Sequence, residues 1–248
     1  MSRDSRAKTL GVAFVLCLVC SILVSAAAVG LKARQERNKE TEKRRNILQI
    51  ARMYDPSKTV DEQFSKVQVR MVDLEKGWFA DSAAAVKDLH TIPADQDSAG
   101  IRSRQRVMEV YLVEEQGRLA QVILPVYGKG LWSTMYGFIA LGPDLSTVTG
   151  FGFYQHGETP GLGGEIDNPA WLAKWPGKLV YDQNGKLRIE LIKGTVDNNA
   201  PDARHKIDGI SGATLTARGV SNLLAYWLGE NGYKPFLEQM RKQQQALR

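Results

Sequence analysis

At 248 residues the chain can hold one large domain or two modest ones, and an apolar share of 43% with 24% charged residues is ordinary for a globular fold. Thirty-three basic side chains against twenty-seven acidic ones give a formal charge of +6. Aromatic residues are not interleaved with a basic stripe, which argues against a nucleic-acid surface, whereas a membrane surface accounts for the charge better.

Much of that charge flanks one apolar segment. Arg3, Arg6 and Lys8 precede it, and a mixed run from Lys32 to Arg45 follows it. Residues 9–31 carry no charge and are mostly Leu, Val, Ala, Ile and Cys. At about 1.5 Å per helical residue they reach across a hydrocarbon core of roughly 30 Å. The run exceeds the ~7–15 apolar residues of a cleaved signal peptide, so an uncleaved single-pass anchor is predicted. The predicted organisation is a tail over 1–8, an anchor over 9–31, a helical connector over 32–60 and one large domain over 61–248. Lys32, Arg34, Arg37 and Lys39 balance or outweigh the basic residues before the span, so charge counting alone leans toward a cytoplasmic C-terminus. Both cysteines, Cys17 and Cys20, lie inside the anchor. The remaining chain therefore forms no disulfide and offers no thiolates to an iron–sulfur cluster. His90, His156 and His205 are scattered without metal-binding spacing, so no metal site is predicted. Redox chemistry here would need an organic cofactor.

Beyond the anchor, the alternating charges of residues 35–53 read as a helix broken at Pro56-Ser57, with a second helix over 60–66. A short strand over 68–74 ends in the turn Glu75-Lys76-Gly77, and residues 80–104 read as irregular. Three hairpins follow: 107–113 with 119–126, 135–141 with 148–154 around Gly142-Pro143-Asp144, and 178–181 with 186–192 around Asn184-Gly185. Hairpins without regular intervening helices predict an α+β fold: a single N-terminal transmembrane helix, then a mostly antiparallel sheet domain with flanking helices.

Two segments invite a ligand. Residues 156–165 hold four glycines and a proline, backbone suited either to a tight turn or to close approach of a ligand. The spacing is neither a phosphate-binding P-loop nor a dinucleotide fingerprint. The second segment is Asp208-Gly209-Ile210-Ser211-Gly212-Ala213-Thr214, which precedes an amphipathic helix marked by Val220, Leu223, Leu224 and Trp227. Free N–H groups and the positive end of the helix dipole make such a start a phosphate site. The alternative is that Ser211 or Thr214 is an ordinary N-cap.

Asp-x-x-Ser-Gly-Ala-Thr resembles the flavinylation signature of the covalent FMN-binding domain family. Residues 128–137, 156–165 and 171–178 also resemble the C subunit of Na+-translocating NADH:quinone oxidoreductases, and the likeness runs over essentially the whole chain. It implies covalent FMN, joined through a phosphoester to Thr214 by a separate flavin transferase. Ser211, Gly212 and Ala213 would then supply N–H groups to the phosphate, with Asp208 serving the transferase or capping the loop. Thr159, Leu162 and Gly163 would line the isoalloxazine or ribityl chain. Lys129 reads either as a neighbour of the phosphate charge or as a solvated loop lysine. No residue acts as a catalytic acid or base. The expected role is to relay single electrons between redox centres of the complex, with its other integral and peripheral subunits as partners. The resemblance also implies a bacterial inner-membrane location with the bulk domain periplasmic, against the charge count. Two rivals remain: the equivalent subunit of a ferredoxin-linked Rnf complex, and a membrane-anchored binding module without covalent flavin.

Overall fold

The computed structural model describes residues 6–80 and 88–246. It separates into two compact units, Met1–Arg44 and Arg45–Arg248. The first consists of most of helix α1 (Arg6–Ile50). The helix contains one window long and apolar enough to cross a membrane, with mean hydropathy 2.8 and none of it buried. Leu10, Val12, Phe14, Leu16 and Ile22 point outward, each more than half exposed. Outward apolar side chains on a lone helix suit lipid rather than water.

In the second unit the helix ends at Ile50, before the predicted break at Pro56. Arg52 takes a positive φ of 57°, and its neighbour's N–H turns back to the Leu48 carbonyl (2.8 Å). The chain is thus already out of helix when proline arrives, and Asp55 caps the N–H of Ser57 instead. A short helix α2 (Val60–Phe64) follows, capped by the Thr59 hydroxyl.

The sheet is built from β1 (Val67–Asp73), β2 (Trp78–Phe79), β5 (Val107–Glu115), β6 (Arg118–Lys129), β7 (Thr134–Leu141) and β8 (Val148–Gln155), in the order β2-β1-β5-β6-β7-β8. Every pairing in it is antiparallel. At the β5–β6 turn Gln116 and Gly117 both lie at positive φ, 52° and 74°, which is the backbone of a primed turn. Residues 80–104, predicted irregular, contain a small antiparallel pair, β3 (Leu89–Thr91) with β4 (Ser103–Gln105). The part of that stretch over 81–87 lies outside the described residues.

The third predicted hairpin does not form as a ladder. Tyr181 and Leu187 form an isolated bridge across its turn, with backbone bonds from Asp182 to Lys186 and from Arg188 to Val180 beside it. Asp182 accepts from the N–H groups of Asn184 and Lys186 and draws the turn tight. The returning strand β9 (Glu190–Leu191) pairs in parallel with β10 (Lys206–Ile207). Between β8 and β9 lies the short helix α3 (Pro169–Leu172), and the chain closes with α4 (Thr214–Trp227) and α5 (Lys234–Ala246).

Two apolar layers hold the sheet. On one face Val122, Leu124 and Ile139 meet Val220, Leu223, Leu224 and Trp227 of α4 and Phe236 and Leu237 of α5. On the other, Ile47, Leu48 and Ala51 from the end of α1 cover Tyr111, Ile123 and Phe138. The predicted i, i+3, i+4, i+7 stripe of α4 is therefore its core face. Trp227 is fully buried and satisfies its indole N–H on the Tyr127 carbonyl (2.6 Å). Gly219 brings the middle of α4 close to the end of β6, where a methyl group would collide with the Lys129 carbonyl. That contact aims the N-terminal end of α4 at the turn after β6.

Candidate functional site at the start of α4

The backbone turns into α4 through Gly212, at φ 72°, and Ala213, which occupies the N-cap position without any side-chain cap. The capping role considered for Ser211 and Thr214 is thus not taken up. Both residues are exposed, Thr214 as the first residue of the helix. In any α-helix the N–H groups of the first turn lack intrahelical partners, and among the described residues no side chain caps this one. The third hydroxyl of the region behaves differently. Thr216 is 1% exposed, and its Oγ1 donates to Glu158 Oε2 at 2.6 Å.

Glu158 is the hub of the site. Its carboxylate accepts from Thr216, from the N–H of Trp132 (3.0 Å), from that of Leu131 (3.2 Å) and from that of Ser133 (3.4 Å). Three segments distant in sequence are thereby joined: the β6–β7 turn, the glycine-rich stretch after β8, and the first turn of α4. Burial alone would raise the Glu158 carboxyl. The hydrogen bonds from Thr216 and from the three backbone N–H groups outweigh it and hold the group below its ordinary value. His156 supports the same stretch. Its Nδ1 accepts from the Glu158 N–H (3.1 Å), which places the proton on Nε2, facing Asp167 Oδ2 at 2.6 Å. Ser133 Oγ accepts from the Gly157 N–H (2.6 Å).

The predicted residues distribute around this hub unevenly. Leu162 is 46% exposed, and its Cδ2 lies 2.9 Å from where a Cβ on Gly212 would stand. Thr159 is exposed and shapes the turn, its carbonyl accepting from the N–H groups of Leu162 and Gly164. Gly163 is buried, and the close approach it permits is to Thr216 Oγ1 and Glu158. Lys129 ends β6 with an exposed side chain, while its backbone carbonyl packs against Gly219. Asp208 stands apart from the hub. Its carboxylate takes Lys174 Nζ (2.6 Å) and the Val196 N–H (2.8 Å), and its carbonyl takes the Trp171 indole N–H. Trp171 and Trp175 are packing residues, with Trp175 stacked 3.8 Å from Phe151.

Reading the sequence gave no individual role to Glu158, to Thr216 beyond its being one of three hydroxyls, or to the loop tip Leu131-Trp132. An acid set between glycine and the Thr-Pro-Gly turn was a usable signal, since a turn needs no carboxylate there. Leu131, Trp132, Leu162 and Leu215 leave apolar surface in the open on the three joined segments, Trp132 being 68% exposed. A surface notch of about 380 Å³, lined by residues such as Gly185, Leu187 and Lys234, lies toward the C-terminal end of α4 and shares no residue with this cluster.

An exposed hydroxyl on an uncapped helix start, beside open apolar surface, fits a phosphate monoester that carries an apolar ring system. The FMN-binding domain family matches residues 130–229, a span that contains the β6–β7 turn, Glu158 and all of α4. The C subunit of the Na(+)-translocating NADH-quinone reductase of Pseudomonas aeruginosa is 49% identical over 97% of this chain and 98% of its own length. That of Yersinia pestis is 46% identical over 97% and 95%. The crystal structure of Shewanella oneidensis NqrC superposes with a TM-score of 0.74 at 32% identity, covering 82% of this chain and 99% of that one. With identity of this order sustained from end to end, the chain belongs to the family of C subunits of Na(+)-translocating NADH-quinone reductases.

Proposed function

We propose that this chain is the flavin-carrying electron-transfer subunit of a Na+-translocating NADH:quinone reductase, with FMN attached through a phosphoester to Thr214. The observation that carries the reading is the division of hydroxyls at the start of α4. Thr214 is exposed at the first helical position, whereas Thr216 is buried and committed to Glu158. A flavin transferase needs access to its acceptor oxygen, and of these two threonines only Thr214 offers it. Ser211 is also exposed, and it is set aside on the pattern Asp-x-x-Ser-Gly-Ala-Thr, in which the acceptor follows Ala.

FMN bound there supplies one-electron carrier chemistry. The protein's contribution is position and electrostatics. N–H groups around Ser211, Gly212, Ala213 and the first turn of α4, with the positive end of the helix dipole, stabilise the phosphate. Lys129 adds a mobile positive charge near it. Leu162, Thr159 and the exposed Leu131, Trp132 and Leu215 offer surface to the ring and ribityl chain. Gly163 serves from behind by letting Thr216 and Glu158 close up. The covalent link keeps the cofactor from dissociating between electron transfers. In this reading residues 9–31 anchor the subunit in a bacterial inner membrane beside the other subunits of the complex, and the domain after the anchor faces the periplasm.

The test is denaturing electrophoresis of the full chain co-expressed with a flavin transferase. The wild-type band should fluoresce under ultraviolet light, the Thr214→Val band should be dark, and Ser211→Ala and Thr216→Val should still fluoresce. A fluorescent Thr214→Val band would move the attachment elsewhere and defeat the reading.

A further inference from the structure

We propose that Glu158 is a positioning residue of the flavin site whose fixed, uncompensated negative charge lowers the reduction potential of the flavin. The inference rests on FMN being carried at Thr214. Glu158 is 5% exposed, yet among the described residues no cationic side chain pairs with it in an ion pair or a hydrogen bond. Its four partners are dipoles: one hydroxyl and three backbone N–H groups. Burying a carboxylate with dipoles alone is costly, because dipoles stabilise the charge without cancelling it. A site built only to fasten three segments could use neutral groups. This one retains a full charge, and its side-chain donor, Thr216, lies two residues along the chain from the acceptor.

The four donors also favour a carboxylate over an amide. They converge on two oxygens, and a carboxamide would turn one of those oxygens into an NH2 group facing N–H donors. The field has a definite direction of effect. An electron added to a flavin at this helix start raises the negative charge near Glu158, whose own burial leaves its charge less screened by water than a surface carboxylate's. Removing the Glu158 charge should therefore ease reduction.

The experiment uses the full chain in detergent, flavinylated in the cell, with midpoint potentials measured by spectroelectrochemistry at pH 7. Glu158→Gln, nearly isosteric but neutral, should keep covalent fluorescence and shift the potential in the positive direction. Glu158→Asp keeps the charge but shortens the reach, and should lie closer to wild type than Glu158→Gln. A merely structural role predicts the reverse order, because aspartate abandons the contacts that glutamine can partly keep. A wild-type potential in Glu158→Gln, or an aspartate variant displaced further than the glutamine one, overturns the proposal. Should Glu158→Gln fail to give a folded protein, Thr216→Val decides. It retains the charge and removes one screening donor, so the potential should move in the negative direction, and an unchanged or more positive value overturns the proposal. A wild-type band that is dark after denaturing electrophoresis defeats the Thr214 reading, and the inference falls with it. A fluorescent wild type with an unshifted Glu158→Gln defeats the inference alone.

Discussion

Adding a single methyl group at Gly163 tests the hub directly. An ideal Cβ there would stand 2.5 Å from Thr216 Oγ1, 2.9 Å from Glu158 Oε2 and 3.1 Å from Glu158 Cβ. Gly163 is not among the residues with positive φ, so alanine suits the backbone and gains about 0.4–1 kcal/mol by restricting the unfolded chain. Against that stand two losses. The 2.6 Å bond from Thr216 to Glu158 must open, and a hydrogen bond to a charged group is worth about 1.5–3 kcal/mol. Overpacking adds about 1–3 kcal/mol. The net destabilisation expected for Gly163→Ala is roughly 2–5 kcal/mol, which in a domain of this size lowers Tm by about 5–15 °C. Thermal unfolding of the full chain in detergent, followed by tryptophan emission, measures it. In a Thr216→Ala background the same change should cost less by about 1 kcal/mol or more, because the colliding hydroxyl is gone. A Tm within about 2 °C of wild type, or full additivity of the two changes, would refute the reasoning.

Three further outcomes are expected. The folded Glu158 carboxyl sits below its ordinary value of 4.5, so its stabilisation is complete above that pH and is lost as pH falls through the folded value. Urea midpoints should therefore drop more steeply below about pH 4.5 in wild type than in Glu158→Gln. Asp208→Asn should unfold within about 1 kcal/mol of wild type, because its partner Lys174 is 45% exposed and such pairs are weak. Covalent flavin should nonetheless fall in that variant, since the motif aspartate is the one the transferase is expected to read, and wild-type fluorescence per mole of protein would count against this. A compartment-specific reporter fused after Arg248 should be active only in the periplasm, with cytoplasmic activity reversing the orientation.

The fold was largely legible because periodicity reports burial. Met108, Val110 and Leu112 recur at every second position of a strand, the stripe Val220, Leu223, Leu224 and Trp227 recurs with the spacing of a helix face, and both sets lie in the core. Punctuation was less reliable. Pro56 suggested where α1 should stop, but Arg52 in the left-handed region ends it at Ile50, and a non-glycine residue at positive φ leaves no mark in composition. The Asn184-Gly185 turn was visible, but the pairing beyond it was not. A partner for Glu190 and Leu191 lay sixteen residues on, at Lys206 and Ile207, and such register is set by tertiary packing rather than by the turn.

Around α4 the limit was of another kind. A sequence shows three hydroxyls, Ser211, Thr214 and Thr216, with the same chemistry. Helix geometry separates the two threonines, because positions one and three of a first turn point in different directions. Position three faces the loops and finds a carboxylate, while position one faces outward. Nothing within residues 208–216 announces this, since the carboxylate belongs to Glu158, 58 residues earlier. The glycines beside it complete the arrangement. A methyl group at Gly163 would crowd Thr216 and Glu158, and one at Gly130 would crowd Glu158. Those glycines read as flexibility in the sequence. In the folded chain they are the absence of atoms that lets one buried acid hold Thr216 inward and leave Thr214 presented.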